Sequence, residues 1–278
     1  MEFLFYLIAG ACAGLLSGLF GVGGGVIIVS ILSFIFTGLQ FPEASIMHLA
    51  LGTSLATIIF TSISSALAHH KKSNVDWTVF KQIAPAVVIG TLLGSLIAAQ
   101  LHSIWLKGIF SAFLISIAIQ LLITSGKKKT VSHEPKPPNL AMNSIAGLFI
   151  GIVSSLVGIG GGTLSVPYLT YSRADIRRAI GTSAAIGLPI AIAGTIGFVV
   201  TGLMAETGVI AENGVQAVLP EYSIGYVYLP AFIGISVTSI FTAPLGTSIA
   251  QRLPTSVLKR LFALLLFFVG IKMLWGIL

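Results

Sequence analysis

Charge is what this chain has least of. Asp, Glu, Lys and Arg make up 8% of its 278 residues, whereas 55% are hydrophobic and the mean hydropathy is +1.02. A soluble domain carries about 25% charged residues, so so sparse a supply cannot coat a water-facing surface, and the chain reads as an integral membrane protein. Carboxylates are scarcest at membrane depth. Glu2, Glu43, Asp76, Glu134, Asp175, Glu206, Glu212 and Glu221 all fall in joints or at the ends of apolar segments. Cation carriers and proton relays place carboxylates inside the bilayer, so their absence there favours an anionic solute. The single cysteine, Cys12, excludes an internal disulfide and any Cys-based metal site, and it reads as a buried apolar thiol. No histidines have metal-ligand spacing, and no Ser/His/Asp or paired-carboxylate set lies at one depth. The expectation is therefore no enzyme, no metal and no cofactor. No glycine cluster ends in the Gly-Lys-Ser/Thr of a nucleotide loop or has G-x-G-x-x-G spacing, which argues against ATP-driven transport. The formal charge of +7 comes from basic residues scattered among short joints. Charges so placed set topology rather than bind nucleic acid. Residues 1–20 lack a basic n-region and read as a first membrane segment, not a cleaved leader.

What is present is apolar sequence in long runs: roughly 3–38, 45–69, 77–100, 104–125, 140–172, 178–205, 223–250 and 256–277. The eight runs predict an all-α membrane protein. Two of them are interrupted by glycines, Gly21-Val22-Gly23-Gly24-Gly25 and Gly158-Ile159-Gly160-Gly161-Gly162. Laying residues 8–25 over 145–162 gives ten identities in eighteen positions, at an offset of 137. Gly52-Thr53-Ser54 recurs as Gly181-Thr182-Ser183, an offset of 129, and residues 93–110 recur at 245–262 with eight identities, an offset of 152. Three blocks in one order mean a duplicated unit. The expected organisation is a first transmembrane repeat at 1–125, a cytoplasmic linker at 126–139 rich in lysine and proline, and a second repeat at 140–278.

Lys and Arg in short loops mark the cytoplasmic side. If every segment crossed once, Arg173, Arg177 and Arg178 would face the side opposite Lys71-Lys72 and Lys127-Lys128-Lys129. If each glycine-broken segment instead folds as a hairpin of two short helices, 70–76, 126–139, 173–178 and 251–256 all become cytoplasmic. Each half is then a broken hairpin plus three crossings, about ten helical pieces in all. The halves insert with opposite orientation, and both termini lie outside. Inverted repeats with broken helices at the midplane are an architecture of secondary transporters.

Three adjacent glycines cost about 1 kcal/mol each in a helix, and unwound backbone in hydrocarbon survives only buried in protein or beside a watery cavity. A helix restarting at Gly25 or Gly162 would point unpaired amides and a positive dipole end inward, the makings of an anion site. The candidate binding residues are Gly21, Gly23, Gly24, Gly25, Gly158, Gly160, Gly161 and Gly162. Hydroxyls of Thr53, Ser54, Thr182 and Ser183 could join them, with Ser17, Ser154, His48 and Arg177 as accessories. The competing role for the clusters is close packing. For the stripes Gly10, Gly14, Gly18 and Gly147, Gly151, Ser155, packing of helix on helix is the better explanation.

The doubled G-x-G-G-G at a helix break, each followed by G-T-S, resembles the sulfite exporter TauE/SafE family of permeases across the whole chain. The proline that commonly follows the glycines is present as Pro167, but Ser30 stands at its counterpart. The resemblance implies a multi-pass carrier of the bacterial or archaeal inner membrane for sulfite, organosulfonates or related sulfur oxyanions. The expectation is export by alternating access. An anion channel, an uptake permease for thiosulfate-type anions and a non-transporting scaffold are the alternatives. Expected partners are a small anion and the lipid bilayer; a coupling proton and a homo-oligomer stay open.

Overall fold

The computed structural model describes residues 2–20, 24–124, 140–172, 176–208, 218–250 and 255–276. Among them lie ten helices: α1 (Glu2–Phe20), α2 (Gly25–Gly38), α3 (Glu43–Lys71), α4 (Trp77–Gln100), α5 (Ser103–Thr124), α6 (Leu140–Val157), α7 (Gly162–Ser172), α8 (Ile176–Glu206), α9 (Leu229–Ala250) and α10 (Thr255–Trp275). A two-stranded antiparallel ribbon, β1 (Ser223–Ile224) and β2 (Val227–Tyr228), precedes α9. The expected linker at 126–139, and Gly21 and Gly23 of the first cluster, lie outside the described residues.

Five helices, within α3, α4, α5, α6 and α8, are long and apolar enough to cross a membrane. At 1.5 Å per residue the 18 residues of α6 reach about 27 Å, close to the roughly 30 Å of a hydrocarbon core. The outer surface carries Phe268, Phe241, Trp275 and Ile145, each more than 70% exposed. Large apolar surface of this kind is unsuited to water and at home against lipid. The protein is a multi-pass membrane protein.

Three sequence expectations change. The apolar run at 223–250 is not one helix. Tyr226-Val227-Tyr228 is β-prone, and its backbone finds partners outside a helix: Tyr226 N donates to Phe198 O at 3.1 Å and Tyr228 N to Thr53 Oγ1 at 3.0 Å. The helix starts only at Leu229, with Pro230 in the first turn, where an amide would be unpaired anyway. The arms flanking each break are also unequal rather than both short, with 19 and 14 residues in α1 and α2 and 18 and 11 in α6 and α7. Finally, Cys12 is exposed. Ala13 and Gly14 face the protein instead, so the thiol points outward.

The halves interlock. α1 packs chiefly on α9 and α6 chiefly on α4; α3 pairs with α8, and α5 with α10. A Cβ on Gly10 would stand 2.6 Å from Ile235 Cα, and one on Gly147 would stand 2.9 Å from Ile83 O. Gly147 follows Gly10 by 137 and Ile235 follows Ile83 by 152, the offsets of the sequence repeat. The next turn repeats the relation, with Gly14 on Ser239 and Gly151 on Val87. The small-residue stripes are therefore packing surfaces, through which the first helix of each half is held by the other half.

Candidate functional site

Where residues of both breaks are described, the breaks are built alike. Gly24 and Gly161 both have φ of +74°, a conformation that favours glycine, and Gly158 has +68°. Ile27 N and Ile28 N bond to Gly24 O at 3.0 and 2.9 Å, as Leu164 N and Ser165 N bond to Gly161 O at 3.1 and 2.7 Å. Ahead of them, the amides of Gly25 and Val26 in α2, and of Gly162 and Thr163 in α7, are the first-turn donors that no helical carbonyl can serve. Each helix also turns the positive end of its dipole toward its break.

The breaks meet. A Cβ on Gly25 would lie 2.6 Å from Gly158 O and 3.0 Å from Ile159 Cα. Ser54 Oγ, from α3, spans the junction, donating toward Gly158 O at 2.9 Å and Gly25 O at 3.3 Å. The meeting point lies halfway along the two longest helices. Ile58, sixteenth of the 29 residues of α3, is 2.7 Å from the Gly25 Cβ position and 2.9 Å from that of Gly160. Ile190, fifteenth of the 31 residues of α8, faces Gly161, and a Cβ on Gly187 would lie 2.7 Å from Gly160 O.

The G-T-S blocks divide their labour. Gly52 presses on Tyr226 O and Gly181 on Asn74 O. Thr53 Oγ1 accepts from Tyr228 N at 3.0 Å, and Thr182 Oγ1 from Asp76 N at 2.9 Å. Positions 226 and 228 follow 74 and 76 by 152, so in each half Gly and Thr clasp the connection leading to the fourth helix of the other half. Ser54 is the member of its block that reaches the breaks. Ser183 is buried, and its hydroxyl has no hydrogen-bond partner among the described residues. The same holds for Ser154, Thr163 and Ser165, all close in the chain to the second break.

Of the accessory candidates, His48 is buried. Its Nδ1 lies 3.1 Å from Ala44 O and its Nε2 2.9 Å from Ala98 O, while the ring stacks on Tyr226 at 4.8 Å. It ties α3 to the C-terminal end of α4. Arg177 is exposed at the start of α8, away from the breaks. Ser17 belongs to α1, its side chain outside the description. A further polar group links three helices. Tyr168 Oη donates to Asn143 Oδ1 at 2.6 Å and Asn143 Nδ2 to Gln82 Oε1 at 2.6 Å, linking α7, α6 and α4. An asparagine inside an apolar run was the available signal.

Known proteins resemble the chain over nearly its whole length. The model of the family described as sulfite exporter TauE/SafE matches residues 6–273. A "Probable membrane transporter protein" of Haemophilus influenzae is 38% identical, the match covering 97% of each chain. A protein named likewise in Methanocaldococcus jannaschii is 31% identical over 98% of this chain and 97% of its own. Another, in Bacillus subtilis, is 25% identical over 99% and 98%. These names denote membrane transporters rather than enzymes. No solved structure matches the chain. With a family match running nearly from end to end and a relative 38% identical over 97% of each chain, the chain belongs to the sulfite exporter TauE/SafE family of membrane transporters.

Proposed function

We propose that this transporter is a secondary carrier of small sulfur-containing oxyanions, sulfite or an organosulfonate, and that the solute is held at the glycine breaks. The observation that carries this reading is the meeting of the two breaks halfway along α3 and α8, with Ser54 bonded to both. The site's donors are amides and hydroxyls, neutral groups that can replace water around an anion without trapping it. Among the described residues carboxylates stay at helix ends and joints, as with Asp76 capping α4 and Glu206 closing α8, so none of them opposes an anion there.

Two inverted repeats would give the carrier its movement. Reciprocal packing of α1 on α9 and α6 on α4 supports this: each half holds an arm of the other, so a rocking of one group against the other would expose the breaks to either side in turn. The basic joints at 70–76, 126–139, 173–178 and 251–256 belong to the cytoplasm of a bacterial or archaeal cell on this reading, and would concentrate anions there. On the same reading the loop with Glu206, Glu212 and Glu221 lies outside and would make a poor funnel. Export is the direction this favours.

Flux into proteoliposomes tests the reading. Saturable sulfite or methanesulfonate uptake that accelerates in counterflow is expected. Large, non-saturating conductance would make the protein a channel, and absence of flux would make it a scaffold. Gly24→Ala and Gly161→Ala place a side chain where φ is +74°, and should cut flux at least tenfold in protein that still purifies as a single species.

A further inference from the structure

From Gly24 and Gly161 onward the two breaks match in backbone and differ in side chains. At the offset of 137, Val26 and Ile28 stand in α2 where α7 has Thr163 and Ser165. Of the first break, the described residues 24–30 are all buried, and Gly25 abuts Gly158 O. The hydroxyl of Ser54 is already committed to the Gly25 and Gly158 carbonyls. At the second break, Gly162, Thr163 and Leu164 are only half-buried, and Ser183, the equivalent of Ser54, has no hydrogen-bond partner among the described residues.

The usual fate of a buried hydroxyl in this protein makes that difference informative. Ser30 Oγ donates to Val26 O at 2.7 Å, Thr91 Oγ1 to Val87 O at 2.8 Å and Thr201 Oγ1 to Gly197 O at 2.8 Å, each bonding back to the carbonyl one turn earlier. Ser165 has such a carbonyl at hand, because its own amide bonds to Gly161 O at 2.7 Å. Its hydroxyl does not take it. Fully buried, Ser165 Oγ lies 3.3 Å from the place of a Gly161 Cβ. Thr163 sits at the mouth of α7, and Ser154, also fully buried, in the last turn of α6. Ser183 stands one turn before Gly187 on the same face of α8, and Gly187 presses on Gly160. Buried hydroxyls left unpaired are costly, and four of them belong to the segments that adjoin this helix start, with Ser223 and Ser236 unpartnered elsewhere among the described residues.

Resting on the carrier reading above, we propose that the second break alone binds the anion. The first-turn amides of α7 and the hydroxyls of Thr163, Ser165, Ser183 and Ser154 are its donors, and the first break is an abutment that seals one side. Donors arriving from α6, α7 and α8 suit a compact oxyanion with three or more oxygens, each able to accept from a different helix.

A structural hydroxyl and a ligand-binding hydroxyl respond oppositely to removal, and this provides the test. In full-length protein, binding of sulfite, thiosulfate and methanesulfonate is measured by calorimetry, and anion-free thermal unfolding is followed alongside. Ser165→Ala and Ser183→Ala should each weaken binding of whichever anion the wild type binds by about tenfold, the worth of one hydrogen bond to a charged group. Their anion-free unfolding midpoints should stay equal or rise, since no donor is left unpaired. Thr163→Val should weaken binding similarly, and Thr163→Ser should retain it. The mirror substitution Val26→Thr should leave binding within about twofold. Unchanged binding in Ser165→Ala and Ser183→Ala, a lowered midpoint in either, or an altered affinity in Val26→Thr overturns the one-sided site while leaving the carrier intact. Failure of the wild type to bind any of the three anions removes the carrier reading and this inference together.

Discussion

Ser54 and Ser183 occupy matching places in the repeat and do different things. Ser54 joins two carbonyls from opposite halves of the molecule. Replacing it with Ala leaves the Gly158 carbonyl buried without its donor, a loss of about 1–3 kcal/mol. Chemical unfolding in detergent should register that destabilisation, and an unchanged midpoint would mean the bridge carries no load. From sequence, Thr and Ser of the motif could only be treated as one set of donors for a ligand. Their roles separate because successive helix residues point about 100° apart: Thr53 faces the ribbon's Tyr228 amide while Ser54 faces the glycines. Residue type and spacing were legible. The partner was not, because it lies 175 residues away in the chain.

The connection between the third and fourth helices is the element that each half lends to the other. In the first half it runs through Asn74 and Asp76, where Asp76 Oδ1 also caps α4 by accepting from Val79 N at 3.0 Å. In the second it is the ribbon carrying Tyr226 and Tyr228. The clasping glycines leave no room for a Cβ against the carbonyls of Tyr226 and Asn74. Gly52→Ala and Gly181→Ala should each cost about 1–3 kcal/mol, as overpacking does, and should do so alike, because the contacts are mirrored. Comparing the two variants by unfolding in detergent checks this; a wide disparity would show that the clasps are not equivalent. Helices α3, α4, α5, α8 and α10 lie close to their apolar runs in the sequence. The ribbon was hidden because Tyr226-Val227-Tyr228 is as apolar as a helix of that length, and hydropathy does not distinguish the two.

At the scale of the whole molecule, opposite insertion of the halves is what would turn a duplicated fold into a carrier, and it can be tested without knowing the solute. Lys72 and Glu221 are both exposed, and they occupy equivalent connections, before α4 and before α9. If the halves insert with opposite orientation, these equivalent places face opposite sides of the membrane. Cys12 is exposed on α1 and must first be replaced; Cys12→Ala should be tolerated because the thiol packs against no protein core. In that background, Lys72→Cys should react with a membrane-impermeant maleimide only after cells are broken, and Glu221→Cys in intact cells. The sign follows from charge: Lys71 and Lys72 end α3 next to His69 and His70, and positively charged joints remain inside. Reaction of both positions from the same side would leave the halves parallel, and with that the rocking movement would lose its structural basis.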